Sequence, residues 1–214
     1  MAQFLAAMIL LLVTYPFIID LPDGDVIENI LMVVLLISAA FTVNRRDAIA
    51  GFLLVIPAAL CPWLNVFHRG TVPLWIITGT HTVFVAFIII ELLRFVLKAT
   101  RVNSDVMCAG IAGYLLLGIL WTPTYLMVSQ LTPGSFTGTH LAEPGLLGRF
   151  DALYLSFVSL TCLGCNDITP LSKVARTLLM AESLTGVLYL AVMIARLVAL
   201  YTHSVQDQKG AAKN

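Results

Sequence analysis

The chain has 214 residues, of which 59% are hydrophobic and only 11% are charged, and its mean hydropathy is +0.95. A soluble domain of this length cannot bury so large an apolar fraction, so the composition excludes a soluble globular protein and predicts an integral membrane protein. The 12 basic and 12 acidic residues give a formal net charge of zero. This balance shows no basic bias of the kind that indicates a nucleic acid partner, so the expected surroundings are membrane lipid, as the apolar composition indicates.

Six apolar stretches predict six transmembrane helices, because a bilayer core of about 30 Å needs roughly 20 apolar residues per helical crossing. The first stretch lacks the basic n-region and the cleavage site of a signal peptide, so we expect it to be a span. Polar segments containing Gly, Pro and charged residues separate the stretches. They lie at about residues 3–19, 27–43, 48–66, 72–97, 105–131 and 174–203.

The basic residues predict the orientation of these spans. With both termini in the cytoplasm, eight of the 12 Lys and Arg residues lie on the cytoplasmic side, as the positive-inside rule favours. We therefore expect a multi-pass protein of the cell membrane, of the bacterial inner-membrane type. The fourth stretch contains no Lys or Arg between Thr71 and Leu93, and its first basic residue is Arg94. Steep voltage gating needs several charges within the membrane field, and this stretch does not provide them.

A short helix and a loop are predicted between the fifth and sixth spans. Residues 132–150 contain six Gly and Pro residues and predict an irregular extracellular turret. The following segment, FDALYLSFVSLT, is a short amphipathic helix, and Asp151 near its start favours the positive end of the helix dipole. By the same dipole, the carbonyls near Ser159 to Thr161 should point into a central cavity and attract a cation.

The residues after this helix read Thr161-Cys162-Leu163-Gly164-Cys165-Asn166-Asp167-Ile168-Thr169-Pro170. This run resembles the pore loop of the tetrameric potassium channel superfamily, whose filter reads Thr-Thr-Val-Gly-Tyr-Gly-Asp and is often followed by Ile-Thr-Pro. Six positions match in register: Thr161, Gly164, Asp167, Ile168, Thr169 and Pro170. Four positions differ: Cys162, Leu163, Cys165 and Asn166.

The resemblance extends over about residues 105–203 and implies a passive cation channel subunit, not an enzyme. It also implies an all-α fold of six spans with a re-entrant pore helix and filter loop, assembled as a homotetramer because each chain supplies one loop. The last helix is also similar to that of bacterial ion channel proteins of the two- and six-transmembrane types. The predicted divisions are a four-helix scaffold like a voltage sensor without its Arg ladder at 1–101, a pore domain at 102–205 and a short cytoplasmic tail at 206–214.

The substituted filter positions predict altered, weakened selectivity among monovalent cations such as K⁺ or Na⁺, with no other cofactor and no other metal. Gly164 permits a left-handed backbone, and Asn166, at the second glycine position, is the non-Gly residue that best tolerates it. Cys162 offers a thiol where the family has a hydroxyl, and Cys165 replaces a bracing Tyr. The expected ion-binding residues are Thr161, Cys162, Leu163, Gly164, Cys165 and Asn166.

Four residues outside the filter have predicted roles in supporting or gating the pore. The resemblance places Asp167 behind the extracellular mouth as a brace, and Glu182 should face the back of the pore helix. Gly186 lies in the middle of the last helix, where it is either a gating hinge or a site of close packing against a neighbour. Arg196 should lie near the inner gate.

Two alternative functions stay open at this point. The Cys162-x-x-Cys165 pair has the spacing of a redox or soft-metal site, which would suit a membrane thiol oxidoreductase. A turret, a pore helix and the Ile-Thr-Pro sequence have no purpose in such an enzyme. The altered filter would also suit a non-conducting channel homologue.

Overall fold

The structure is a computed structural model that describes residues 1–19, 27, 30, 74–100, 103–139, 141, 145–164 and 167–211. Most of these residues are helical. The helices are α1 (Ala2–Ile19), α2 (Leu74–Lys98), α3 (Ser104–Leu131), α4 (Arg149–Leu160) and α5 (Lys173–Ala211), and two short strands are β1 (Phe136–Gly138) and β2 (Ile168–Pro170).

Two of the described helices are long and apolar enough to cross a membrane, Ser104–Leu131 and Lys173–Thr202, and the apolar helix Ala2–Ile18 is shorter. These helices support a membrane location. The predicted stretch at 3–19 is also helical, and so is the described part of the stretch at 72–97, from residue 74 onward. The stretches at 27–43 and 48–66 fall almost entirely outside the described residues, so the count of six spans stays a prediction.

Helix α3 is the element against which α1 and α2 pack. It begins at the N-cap Asn103, whose side-chain oxygen accepts a hydrogen bond from the Val106 amide at 2.9 Å. Such a cap satisfies one of the free amides of the first turn. The small residues of α3 allow the helices to approach closely, and the buried core they share includes Phe4, Met8, Phe84, Ile88, Val96, Ala109 and Ala112.

The predicted irregular turret contains a strand, which corrects the all-α expectation to a mainly helical fold. Strand β1 pairs antiparallel with β2, and the register sets Phe136 opposite Pro170, Thr137 opposite Thr169 and Gly138 opposite Ile168. The Ile-Thr-Pro of the filter motif is therefore half of a two-stranded ribbon. Strands of three residues are too short to show the alternation that identifies a strand in a sequence.

An apolar cluster holds both ends of the pore loop. Phe136 of β1 and Ile168 of β2 are buried with Tyr125 of α3 and Leu155 of α4. The rings of Tyr125 and Phe136 meet edge to face, with centroids 6.1 Å apart. The ribbon and the short helix are thus fixed to the same end of α3.

Helix α5 continues through Ala211, beyond the predicted start of a separate tail at residue 206. Its 39 residues correspond to about 58 Å at 1.5 Å per residue. This exceeds the thickness of the bilayer core, so the helix extends past a membrane of ordinary thickness.

Candidate pore loop and filter

Helix α4 packs against both α3 and α5. It is the helical part of the candidate pore loop and directly precedes the filter residues. Gly118 of α3 lets it approach closely, since a Cβ at that position would lie 2.8 Å from the Phe157 ring. At the start of α4, the Asp151 carboxylate accepts a hydrogen bond from the Gly148 amide at 3.1 Å. The acidic side chain therefore lies at the positive end of the helix dipole.

The C-terminal end of α4 is capped by backbone hydrogen bonds from the residues that follow it. The Cys162 amide donates to the Ser159 carbonyl at 3.1 Å, and the Leu163 amide donates to the Val158 carbonyl at 3.2 Å. Cys162 has a φ of +55°. These two bonds around one left-handed residue form a Schellman motif, which usually has Gly at the left-handed position.

Hydroxyl groups from the neighbouring helices also bond to the last carbonyls of α4. Tyr114 of α3 donates to the Leu160 carbonyl at 3.1 Å, and Ser183 of α5 donates to the Ser159 carbonyl at 2.9 Å. The prediction that carbonyls near Ser159 to Thr161 attract a cavity cation overlooked these donors. Two of the three carbonyls are already hydrogen-bonded within the protein, which leaves less of the negative end of the dipole for an ion.

The described part of the filter is not continuously extended. Thr161 has a right-handed helical conformation, with φ −86° and ψ −4°, whereas Cys162 and Gly164 have φ values of +55° and +72°. Gly164 adopts this conformation without strain, and the non-Gly Cys162 does so at a cost of about 1–2 kcal/mol. Leu163 between them is 77% exposed. The predicted filter residues Cys165 and Asn166 lie outside the described residues.

Asp167 is joined to the pore helix by a residue that the sequence analysis did not identify. The Tyr154 hydroxyl of α4 donates to the Asp167 carboxylate at 2.9 Å. The Asp167 carbonyl also lies close to β1, since a Cβ on Gly138 would be 2.7 Å from it. The residue that follows the filter is therefore held between the pore helix and the ribbon.

Glu182 is fully buried where α3, α4 and α5 meet. Its carboxylate accepts hydrogen bonds from the Tyr125 hydroxyl of α3 and the Ser156 hydroxyl of α4. The Ser156 hydroxyl has a second possible acceptor besides Glu182, the Gly118 carbonyl of α3 at 2.7 Å. Glu182 of α5 is therefore linked to α3 and to α4 through side-chain hydrogen bonds.

Of the two roles predicted for Gly186, close packing has direct structural support. A Cβ at Gly186 would meet the Leu160 carbonyl oxygen, and the Leu160 Cδ1 atom would be 3.0 Å away. Ser183, one helical turn earlier, bonds to the same end of α4. The pair forms a notch in α5 into which the end of the pore helix fits.

Arg196 lies far along α5 from the filter and contacts the end of α2. Its Nη2 atom donates to the Leu97 carbonyl at 2.7 Å and to the Ala99 carbonyl at 2.8 Å. A cation at the C-terminus of a helix interacts favourably with the dipole and with the last carbonyls.

The described part of the chain adds no observation in favour of thiol or metal chemistry. Cys162 is a free, exposed thiol, and its predicted partner Cys165 lies outside the described residues. Within the described ranges, no group of three or more His, Cys, Asp or Glu side chains is arranged to hold a metal ion.

Comparison with known families identifies the same region. A family model described as "Ion channel" matches residues 114–203, which are fewer than half of the chain and include most of α3, all of α4, the filter and α5 through residue 203. No curated protein and no solved structure matches the chain. The match supports an ion channel of the potassium channel type, a membrane location and ion conduction rather than catalysis.

Proposed function

We propose that the chain is one subunit of a passive cation channel whose conducting pathway is lined by the filter and by α5. One observation carries the proposal: a short helix lies between two membrane-length helices and leads into a loop with left-handed residues at Cys162 and Gly164. This arrangement occurs in the segment that is similar to ion channels. Backbone carbonyls in such a loop replace the hydration shell of a cation.

Four copies around one axis are part of the proposal, since each chain supplies a single loop. Residues 102–205 form the pore, residues 1–101 form a surrounding scaffold, and the termini lie in the cytoplasm. Asp167 and Glu182 brace the filter through Tyr154, Ser156 and Tyr125. In this arrangement Gly186 holds the pore helix rather than acting as a hinge.

The filter should discriminate weakly between K⁺ and Na⁺. The thiol of Cys162 is a poor ligand for a hard cation, and Cys165 cannot supply the bracing ring of the family's Tyr. The occupied carbonyls of Ser159 and Leu160 further reduce the stabilisation of an ion beneath the filter.

A pair of glycine substitutions tests whether the loop conducts. Gly164 and Gly134 have positive φ values of +72° and +84°, and a Cβ added at either position would have no described heavy atom within 4 Å. Alanine therefore strains the backbone at both positions by a similar amount. Only Gly164 lies on the proposed ion path.

We expect Gly164→Ala to abolish or strongly reduce cation flux into proteoliposomes, whereas Gly134→Ala should retain it. Cross-linking and native mass measurement should show tetramers for both variants. Equal flux through the two variants would place the conducting path elsewhere, and a purified protein found only as monomers or dimers would contradict the assembly.

A further inference from the structure

Helix α5 presents one continuous face to the rest of its own subunit. Residues on this face recur alternately every four and three positions, so they lie along one side of the helix. Glu182 and Gly186 contact α4, and Tyr189 donates from its hydroxyl to the Gly110 carbonyl of α3 at 2.8 Å. The complete set is Glu182, Gly186, Tyr189, Met193, Arg196 and Leu200.

The C-terminal half of this face contacts the other helices at three successive turns. Tyr189 packs against Gly113, Met193 packs against Gly110, and Arg196 bonds to the corner where α2 ends before α3. Both Arg196 bonds come from the single atom Nη2. The buried Nε atom has no partner among the described residues, so only part of the guanidinium group holds the contact.

The opposite face of α5 is apolar and uncovered in the single chain. Four of its large side chains, at successive intervals of three, seven and four residues, are each between 52% and 61% exposed. If four copies surround an axis, this face is directed toward the axis and its side chains can bury one another there. These residues are Leu184, Val187, Ile194 and Val198.

We propose that Arg196 is a latch that ties the inner end of α5 to the α2–α3 corner and opposes convergence of the four α5 helices on the axis. Burial of the apolar face draws the helices inward and closes the path by dewetting it. The charge-assisted bonds of Arg196 hold each helix outward. This inference rests on the proposed channel function.

Three variants studied as single channels in planar bilayers test the latch. Arg196→Ala should lower the open probability about tenfold or more at fixed voltage, with conductance and reversal potential unchanged. Arg196→Lys should recover part of this loss, since an ammonium group keeps the charge and three donors but lies one bond closer to the backbone than Nη2. The control is Lys98→Ala, which removes an exposed charge from the same corner without touching the Arg196 bonds.

An unchanged open probability in Arg196→Ala, or an equal loss in Arg196→Lys, overturns the latch. Should Arg196→Ala fail to assemble, Val198→Asn provides the second test: a polar side chain on the apolar face keeps the constriction wet, so the open probability should rise. No rise overturns the proposal. If the unmodified protein does not conduct, the channel function itself has failed, whereas conduction that is unaffected by Arg196→Ala removes only the latch.

Discussion

Gly186→Ala distinguishes a packing notch from a hinge, because the two roles predict opposite effects on stability. A methyl group at this position would meet the Leu160 carbonyl, a backbone atom that cannot rotate away. Such overpacking costs about 1–3 kcal/mol. Displacing the carbonyl also loses its hydrogen bond from Tyr114, worth about 1 kcal/mol. The higher helix propensity of Ala returns about 1 kcal/mol, so the net destabilisation is about 1–3 kcal/mol.

The assay is thermal unfolding of the detergent-purified protein. A loss of about 2 kcal/mol should lower Tm by roughly 4–8 °C for a chain of this size. Gly110→Ala is the matched control, because the atom it would meet is Met193 Cε, the flexible end of a side chain. We expect that variant to change Tm little. If the Tm of Gly186→Ala equals or exceeds that of the unmodified protein, the close-packing role of Gly186 is wrong and the hinge role is favoured.

Two further predictions concern the buried carboxylate and the response to voltage. Glu182→Ala leaves the buried Tyr125 hydroxyl without its acceptor and should destabilise the protein by about 2–4 kcal/mol, whereas Glu182→Gln keeps an acceptor oxygen and should cost about half as much in the same melting assay. Equal losses would show that charge rather than hydrogen bonding matters there. Open probability should depend only weakly on voltage, because Arg94 on α2 is paired with Glu91 at 2.7 Å and moves no net charge through the field. A steep curve equivalent to several gating charges would refute this.

The sequence predicted the elements with a strong local pattern and missed the contacts between them. Helix α4 was found within one residue at each end, because an amphipathic segment with Asp151 near its start preceded a recognisable filter. The β1–β2 ribbon was missed because three-residue strands have no measurable period. Tyr154 and Ser183 have no feature that separates them from other polar residues in apolar helices, so their bonds to Asp167 and Ser159 emerge only in three dimensions.

The left-handed backbone conformation of Cys162 could not be predicted from the sequence either. Non-Gly residues seldom adopt a positive φ, so in the filter only Gly164 and Asn166, at the two glycine positions of the potassium channel motif, were expected to do so. Gly186 shows a similar limit, since a glycine within a helix is compatible with both bending and close packing until its neighbour is known. The neighbour here is the Leu160 carbonyl.

The measurement that tests the central claim most directly is the reversal potential of single channels in planar bilayers under opposed K⁺ and Na⁺ gradients. We expect cation currents with a reversal potential far from the K⁺ limit. Restoring the potassium channel residues at Cys162, Leu163, Cys165 and Asn166 should move it toward that limit. A bilayer without currents, or a reversal potential that these four substitutions leave unchanged, would contradict the assignment of residues 161–166 as the conducting filter.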